Sequence, residues 1–171
     1  MVKKLIKNKK DIISIFPFLN EEEFYEDRLI GKYGYNKLVI SVFDHWLSEE
    51  EADKKIASFS TLEMSGSDRK SFFFEKENDI LNFYKLIFNN NLLVGINTEN
   101  FSVYDFLSES DFLNKCKESI REIEFLTLAL PEKKVILVGT YDLNIVLYFL
   151  DKELIKNILN SIHKSNLFLL K

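Results

Sequence analysis

The segment Asp44-His45-Trp46 is where this sequence comes nearest to proton chemistry. A histidine titrates near neutral pH, and a carboxylate beside it can orient the ring for general acid–base work. Neighbouring residues of an extended strand point to opposite faces, so Asp44 orients His45 only if the strand stops before them. On that condition the segment describes a small enzyme, a hydrolase or transferase using His45 with nearby carboxylates. The other reactive residues fit structural roles. Cys116 falls between Phe112 and Ile120 on an apolar helical stripe, where a thiol packs as a small hydrophobe. His163 closes a helix beside Lys164, at the end where a cation meets the negative pole of the dipole. One cysteine and two histidines exclude a disulfide framework and argue against a metal centre, so neither a metal nor a cofactor is expected. Gly31-x-x-Gly34 has no strand before it, and Val138-Gly139-Thr140 runs on into another strand. Neither offers a helix N-terminus to a phosphate.

Carboxylates are the more abundant functional group. Asn20-Glu21-Glu22-Glu23 and Ser48-Glu49-Glu50-Glu51 each place a capping side chain three positions before a glutamate. Ser108-Glu109-Ser110-Asp111 repeats the layout with an aspartate, and Asp151 heads the last helix. Such side chains satisfy the first N–H groups of a helix. Each carboxylate in that turn contributes about 0.3–1 kcal/mol against the dipole. Glu26, Asp27, Asp44 and Asp53 exceed what capping needs. A docking surface can be assembled from the acids and nearby rings. Glu22, Glu26, Asp27, Tyr33 and Tyr35 form one stretch; Trp46, Glu49, Glu50 and Asp53 form another. Rings supply contact area and carboxylates supply steering toward a basic protein.

The charge distribution points the same way. Net charge is -4, but Lys3, Lys4, Lys7, Lys9 and Lys10 crowd the first ten residues, leaving 27 acids against 18 bases elsewhere. Only that basic tip could face nucleic acid, so nucleic-acid binding is not expected. The apolar run from Ile12 to Leu19 is interrupted by Ser14 and Pro17 and is followed by acids. It is too short for a signal peptide, and no stretch approaches the ~20 apolar residues of a membrane span. The expectation is a cytoplasmic protein without stable membrane insertion, whose oligomeric state the sequence does not set. A chain of 171 residues buries about 70% of its extended surface, enough for one domain over residues 1–171.

The elements that must position these groups follow from periodicity. Ile80, Leu81, Phe83, Tyr84, Ile87 and Phe88 recur at helical spacing. So do Phe112, Leu113, Cys116, Ile120 and Ile123, and Leu154, Ile155, Ile158, Leu159 and Ile162. Short apolar runs predict strands over 38–43, 71–74, 92–96, 135–138, 145–150 and 167–170. Turns are expected at Gly31–Asn36, Ser65–Asp68 and Thr140–Asp142. The last forty residues read as a ββαβ unit whose strands are hydrophobic throughout, as in the middle of a covered sheet. The predicted fold is a single α+β domain with a mostly antiparallel sheet and packed helices.

An acidic single domain rich in Lys, Asn, Ile and Phe, with Glu21-Glu22-Glu23, Glu49-Glu50-Glu51 and the strand pair Val135–Val138 and Asn144–Phe149, resembles the small immunity proteins of bacterial contact-dependent and related polymorphic toxin systems. The resemblance implies a cytoplasmic protein that binds a cognate toxin domain and occludes its active site or an essential surface. It implies no catalytic residues and no cofactor. The expected partner is a basic protein, a toxin domain.

Overall fold

Strands that are apolar at every position need cover on both faces, and that requirement organises this fold. The computed structural model describes residues 9–20, 26–56, 58–97 and 102–170. Its strands are β1 (Asn36–Ser41), β2 (Val94–Asn97), β3 (Ser102–Tyr104), β4 (Thr127–Leu130), β5 (Val135–Gly139), β6 (Asn144–Phe149) and β7 (Phe168–Leu170). They form one sheet in the order β3-β2-β4-β5-β6-β1-β7, and every pairing is antiparallel. The helices are α1 (Lys9–Ile15), α2 (Glu26–Gly31), α3 (Glu49–Lys55), α4 (Ser67–Asn90), α5 (Glu109–Ile120) and α6 (Lys156–Lys164).

Alternation along the strands divides the interior into two cores. Leu128, Leu130, Val135, Leu137, Ile145, Leu147 and Phe149 pack with the buried residues of α4, α5 and α6. Ala129, Ile136, Val146 and Tyr148 face the other way, onto Ile12, Phe16, Phe18, Leu19 and Leu29 from α1, α2 and the 3-10 turn between them. The single α+β domain and the C-terminal ββαβ unit (β5, β6, α6, β7) are as the sequence predicts. One detail differs: β7 lies at the sheet edge beside β1, since the return from α6 sets it next to Val39–Ser41.

Other elements depart from the sequence reading for identifiable reasons. Residues 71–74, expected as a strand, lie inside α4. The buried stripe of that helix runs Phe73, Glu77, Ile80, Tyr84 and Ile87 at steps of three and four, and the charge at Glu77 breaks its hydrophobic signal. Burial of Glu77 is compensated by Arg121 at the end of α5, whose Nε and Nη2 donate at 2.6 and 3.0 Å. The turn expected at Ser65–Asp68 is the start of α4, with Gly66 as its N-cap. Strands β3 and β4 were not anticipated. Three residues give β3 too little pattern, and Thr127-Leu128-Ala129-Leu130 is apolar without β-branched emphasis.

The register brings the end of β1, the β5–β6 turn and the approach to β4 to the same end of the sheet. Ser41 lies opposite Asn144, Gly139 opposite Ile145 and Thr127 opposite Val138. At the β3 edge of the sheet Gly95 pairs with Tyr104 across β2 and β3. The Tyr104 ring covers the glycine so closely that an added Cβ would lie 2.2 Å from it. Gly95→Ala is therefore expected to destabilise by about 1–3 kcal/mol through overpacking, whereas Gly31→Ala, which meets nothing within 4 Å, stays near neutral. Urea unfolding midpoints check this, and equal midpoints for the two variants would contradict the ring contact.

Candidate functional site

With both sheet faces covered, side chains free for function sit at strand ends and on outer helices. After Ser41 the chain leaves the sheet, and the Ser41 hydroxyl accepts the Phe43 N–H at 3.1 Å. The segment Asp44-His45-Trp46 follows, and Ser48 then starts α3. The capping box foreseen in the sequence is present: Ser48 Oγ accepts from Glu51 N–H at 3.3 Å, and Glu51 Oε2 accepts from Ser48 N–H at 3.0 Å. The capping role of Ser108 is present as well, its Oγ accepting from Asp111 N–H at 3.1 Å.

Because β1 ends at Ser41, strand alternation no longer separates Asp44 from His45. His45 Nδ1 lies 2.6 Å from Asp44 Oδ1, and Nε2 lies 3.2 Å from Glu51 Oε1. These bonds, Asp44 first and Glu51 second, raise the pKa of His45 above its ordinary value. In turn the bond from His45 lowers Asp44. Glu51 is held down at about 2, mainly by the Ser48 backbone N–H and then by His45. A general base needs a ring nitrogen with a lone pair facing its substrate. Here both nitrogens face carboxylates, and the favoured imidazolium cross-links the exit of β1 to α3. A cavity of about 400 Å³ lies between Phe59, Ser60, Leu62, Glu63, Lys70 and Phe74, and its lining does not include His45.

None of the residues of α3 is buried. Its ends are fixed by the capping box and by Arg69, whose Nη2 donates to the Asp53 carbonyl at 2.6 Å. Glu49, Glu50 and Asp53 are exposed, and Glu50 accepts from Lys54 at 2.5 Å. Trp46 is 57% exposed. These four predicted residues thus lie on one connected segment at one end of the sheet.

The first acidic stretch is built differently. Glu22 lies outside the described residues. Glu26 accepts from Lys37 Nζ at 2.6 Å and from the Tyr148 hydroxyl at 3.0 Å, and the Lys37 bond leads in lowering its pKa. Asp27 is exposed. Tyr33 is half-buried, with its ring 6.1 Å from Phe18 and Lys32 above it. Tyr35 is 4% exposed, packed in the second core against Phe18, and burial pushes its hydroxyl up to about 12. It belongs to the core and presents no ring to a partner. Glu26 sits by Lys37 near the start of β1, while Trp46 follows its end. The six residues of β1 separate the two by about 20 Å, so they do not converge on one site.

Cys116 is fully buried, as its place on the stripe predicts. Burial drives its thiol pKa well above the ordinary range, which makes it inert. Among the described residues no group of three or more His, Cys, Asp or Glu could hold a metal ion, and no helix is long and apolar enough to cross a membrane. Periodicity misplaces one residue at this end of the sheet. Ile123 reads as part of the α5 stripe, yet α5 stops at Ile120 and Ile123 is 66% exposed. The cue lies in Glu122-Ile123-Glu124-Phe125, where apolar residues alternate with acids instead of recurring at helical spacing. No family model matches the chain, and neither the curated proteins nor the solved structures provide a match.

The His45 clamp predicts a pH signature. The raised His45 pKa gives stability that is present below the ordinary value of about 6.5 and is lost as pH rises through the raised one. The depressed Asp44 and Glu51 give stability that is lost as pH falls through their lowered values. NMR titration of the His45 ring is expected to show a midpoint above about 6.5, moving back toward it in Asp44→Asn and in Glu51→Gln. An unshifted midpoint in the parent protein would rule the clamp out.

Proposed function

We propose that this chain is a non-enzymatic protein-binding module, an immunity protein that neutralises a cognate toxin domain by covering its active site or an essential surface. The docking face comprises Trp46 and the outward acids of α3. One observation carries the reading: α3 buries no residue, yet it is held at both ends and displays its acids beside an exposed tryptophan. A helix with no buried residue offers its side chains to a partner and not to the core.

The physical roles divide cleanly. Between Asp44 and Lys55, five carboxylates (Asp44, Glu49, Glu50, Glu51, Asp53) face two lysines and one histidine. The resulting field accelerates encounter with a basic cleft, and more strongly at low salt. Trp46 supplies rigid contact area of the kind that dominates binding energy once buried. Both are fixed before contact, which reduces the ordering cost of association. The acidic, aromatic composition that resembles immunity proteins supports the choice of a toxin domain as the partner.

The reading predicts that the neighbouring upstream gene encodes a large secreted protein with a variable C-terminal toxin domain, and that domain is the partner to test. Calorimetry and stopped-flow mixing should find a nanomolar complex that weakens as salt rises. Trp46→Ala should weaken it by about 30-fold, equivalent to loss of a hot spot of ~2 kcal/mol. Glu49→Lys with Glu50→Lys should act chiefly on the association rate. Absence of any complex at low salt would dispose of the toxin reading. Unchanged affinity in all three substitutions would dispose of this face.

A further inference from the structure

A second surface lies at the same end of the sheet, built from residues that neither the cores nor α3 use. Ile123, Phe125 and Tyr141 are 66%, 43% and 62% exposed. The Phe125 and Tyr141 rings meet edge to face with centroids 4.8 Å apart. They come from two turns that are tied together. Leu126 N–H donates to Ser119 Oγ at 3.1 Å, Gly139 N–H to the Leu126 carbonyl at 2.9 Å, and Asp142 N–H to Glu122 Oε1 at 3.5 Å. Glu122, Asp142 and Leu143 have φ of 58°, 62° and 59°, left-handed backbone that is disfavoured outside glycine. Each turn is pinned from below, by Leu126 in one and Leu143 in the other, both buried in the first core. The rings are therefore set in place before any partner arrives.

The charges around these rings select the partner. Glu118, Glu122, Glu124 and Asp142 lie on the same two segments. Lys115 is shared between Glu118 at 3.0 Å and Glu124 at 2.8 Å. Arg121 and Lys117, the cations at the end of α5, both pair with Glu77. Among the described residues Glu122 and Asp142 have no cation within ion-pair distance, so the patch is apolar at its centre and negative at its rim. An arginine fits both parts, because its guanidinium stacks on an aromatic face while its edge donates to carboxylates. A nucleic acid or an anionic membrane meets an excess of like charge. A second copy of this chain, docking through the same patch, brings its own carboxylates against these.

We propose that Ile123, Phe125 and Tyr141, ringed by Glu122, Glu124 and Asp142, form a docking surface for a polypeptide segment that carries arginine next to an apolar side chain. The surface uses neither Trp46 nor any residue of α3, and it stands whether or not the toxin reading holds. The test is titration of the full ¹⁵N-labelled chain with a ten-residue peptide containing alternating arginine and leucine, beside the same peptide with glutamate for arginine. Amide shifts from the arginine peptide should centre on residues 120–126 and 139–144, and the glutamate peptide should give none. Tyr141→Ala should lower affinity by about tenfold or more, with Trp46→Ala neutral. Glu122→Gln with Asp142→Asn, which leaves the rings untouched, should weaken binding and flatten its salt dependence. The proposal is overturned by no shifts up to about 1 mM peptide, by shifts spread equally over α3 and this patch, or by equal losses in Trp46→Ala and Tyr141→Ala. Concentration-dependent dimerisation through these residues, seen by sedimentation, would likewise replace the peptide with a second copy and overturn it.

Discussion

Cover on both faces of the sheet is the constraint from which the rest follows. All four residues of β4 are buried, as are five of the six in β6. No polar group can stand on the middle of such a sheet without losing its hydration. Whatever this molecule recognises must meet it at strand ends or on elements carried beyond them. Helix lengths supply those elements. The 24 residues of α4 extend about 36 Å, whereas the six residues of β1 span about 20 Å. The α4 helix is thus longer than β1, and its start holds α3 through Arg69.

The Glu77–Arg121 pair ties α4 to the end of α5. A carboxylate in the apolar stripe of α4 is costly unless its oxygens are matched, and the bidentate guanidinium matches both. The same guanidinium lies 4.4 Å from the centre of the Phe59 ring, so one side chain joins α4, α5 and the 3-10 turn after α3. A further consequence appears at the surface. Arg121 stands at the head of the turn that carries Glu122 and Glu124, and drawing its charge inward leaves that turn negative. A contact made for packing thereby sets the electrostatics of a neighbouring loop.

Sequence legibility tracked the range of the interactions involved. The Ser48 capping box, the turn at Thr140–Asp142 and strands β5 and β6 depend on residues close in the chain, and all could be read directly. The start of α4 could not, because Phe72-Phe73-Phe74 imitates a strand and the partner that explains Glu77 lies 44 residues away. Tyr35 shows the same limit: its burial is decided by Phe18 in a separate element. For Asp44 and His45 the outcome turned on one boundary. Had β1 continued two or three residues, the side chains would have pointed apart. Trp46, Glu49, Glu50 and Asp53 were legible as exposed because they follow the strand and belong to a segment whose polar pattern leaves no apolar stripe.

The arrangement of acids on α3 contains a feature that folding does not explain. Seven residues make a marginal helix in water, so each side-chain pair along it matters. Glu50 and Glu51 follow the stabilising rule, each meeting a lysine four residues on. Glu51 is also fully engaged inward, by Ser48, His45 and Lys55. Glu49 breaks the rule: four residues on from it stands Asp53, and among the described residues neither carboxylate has a cation within ion-pair distance. Like charges at that spacing destabilise a helix by a few tenths of a kcal/mol. A lysine at position 53 would complete the ladder that the other two pairs begin. The repulsion therefore stands between side chains four residues apart on one face of the helix. The same segment thus divides its acids by their contacts, with Glu51 tied into the helix start and Glu49 and Asp53 outside every ion pair among the described residues.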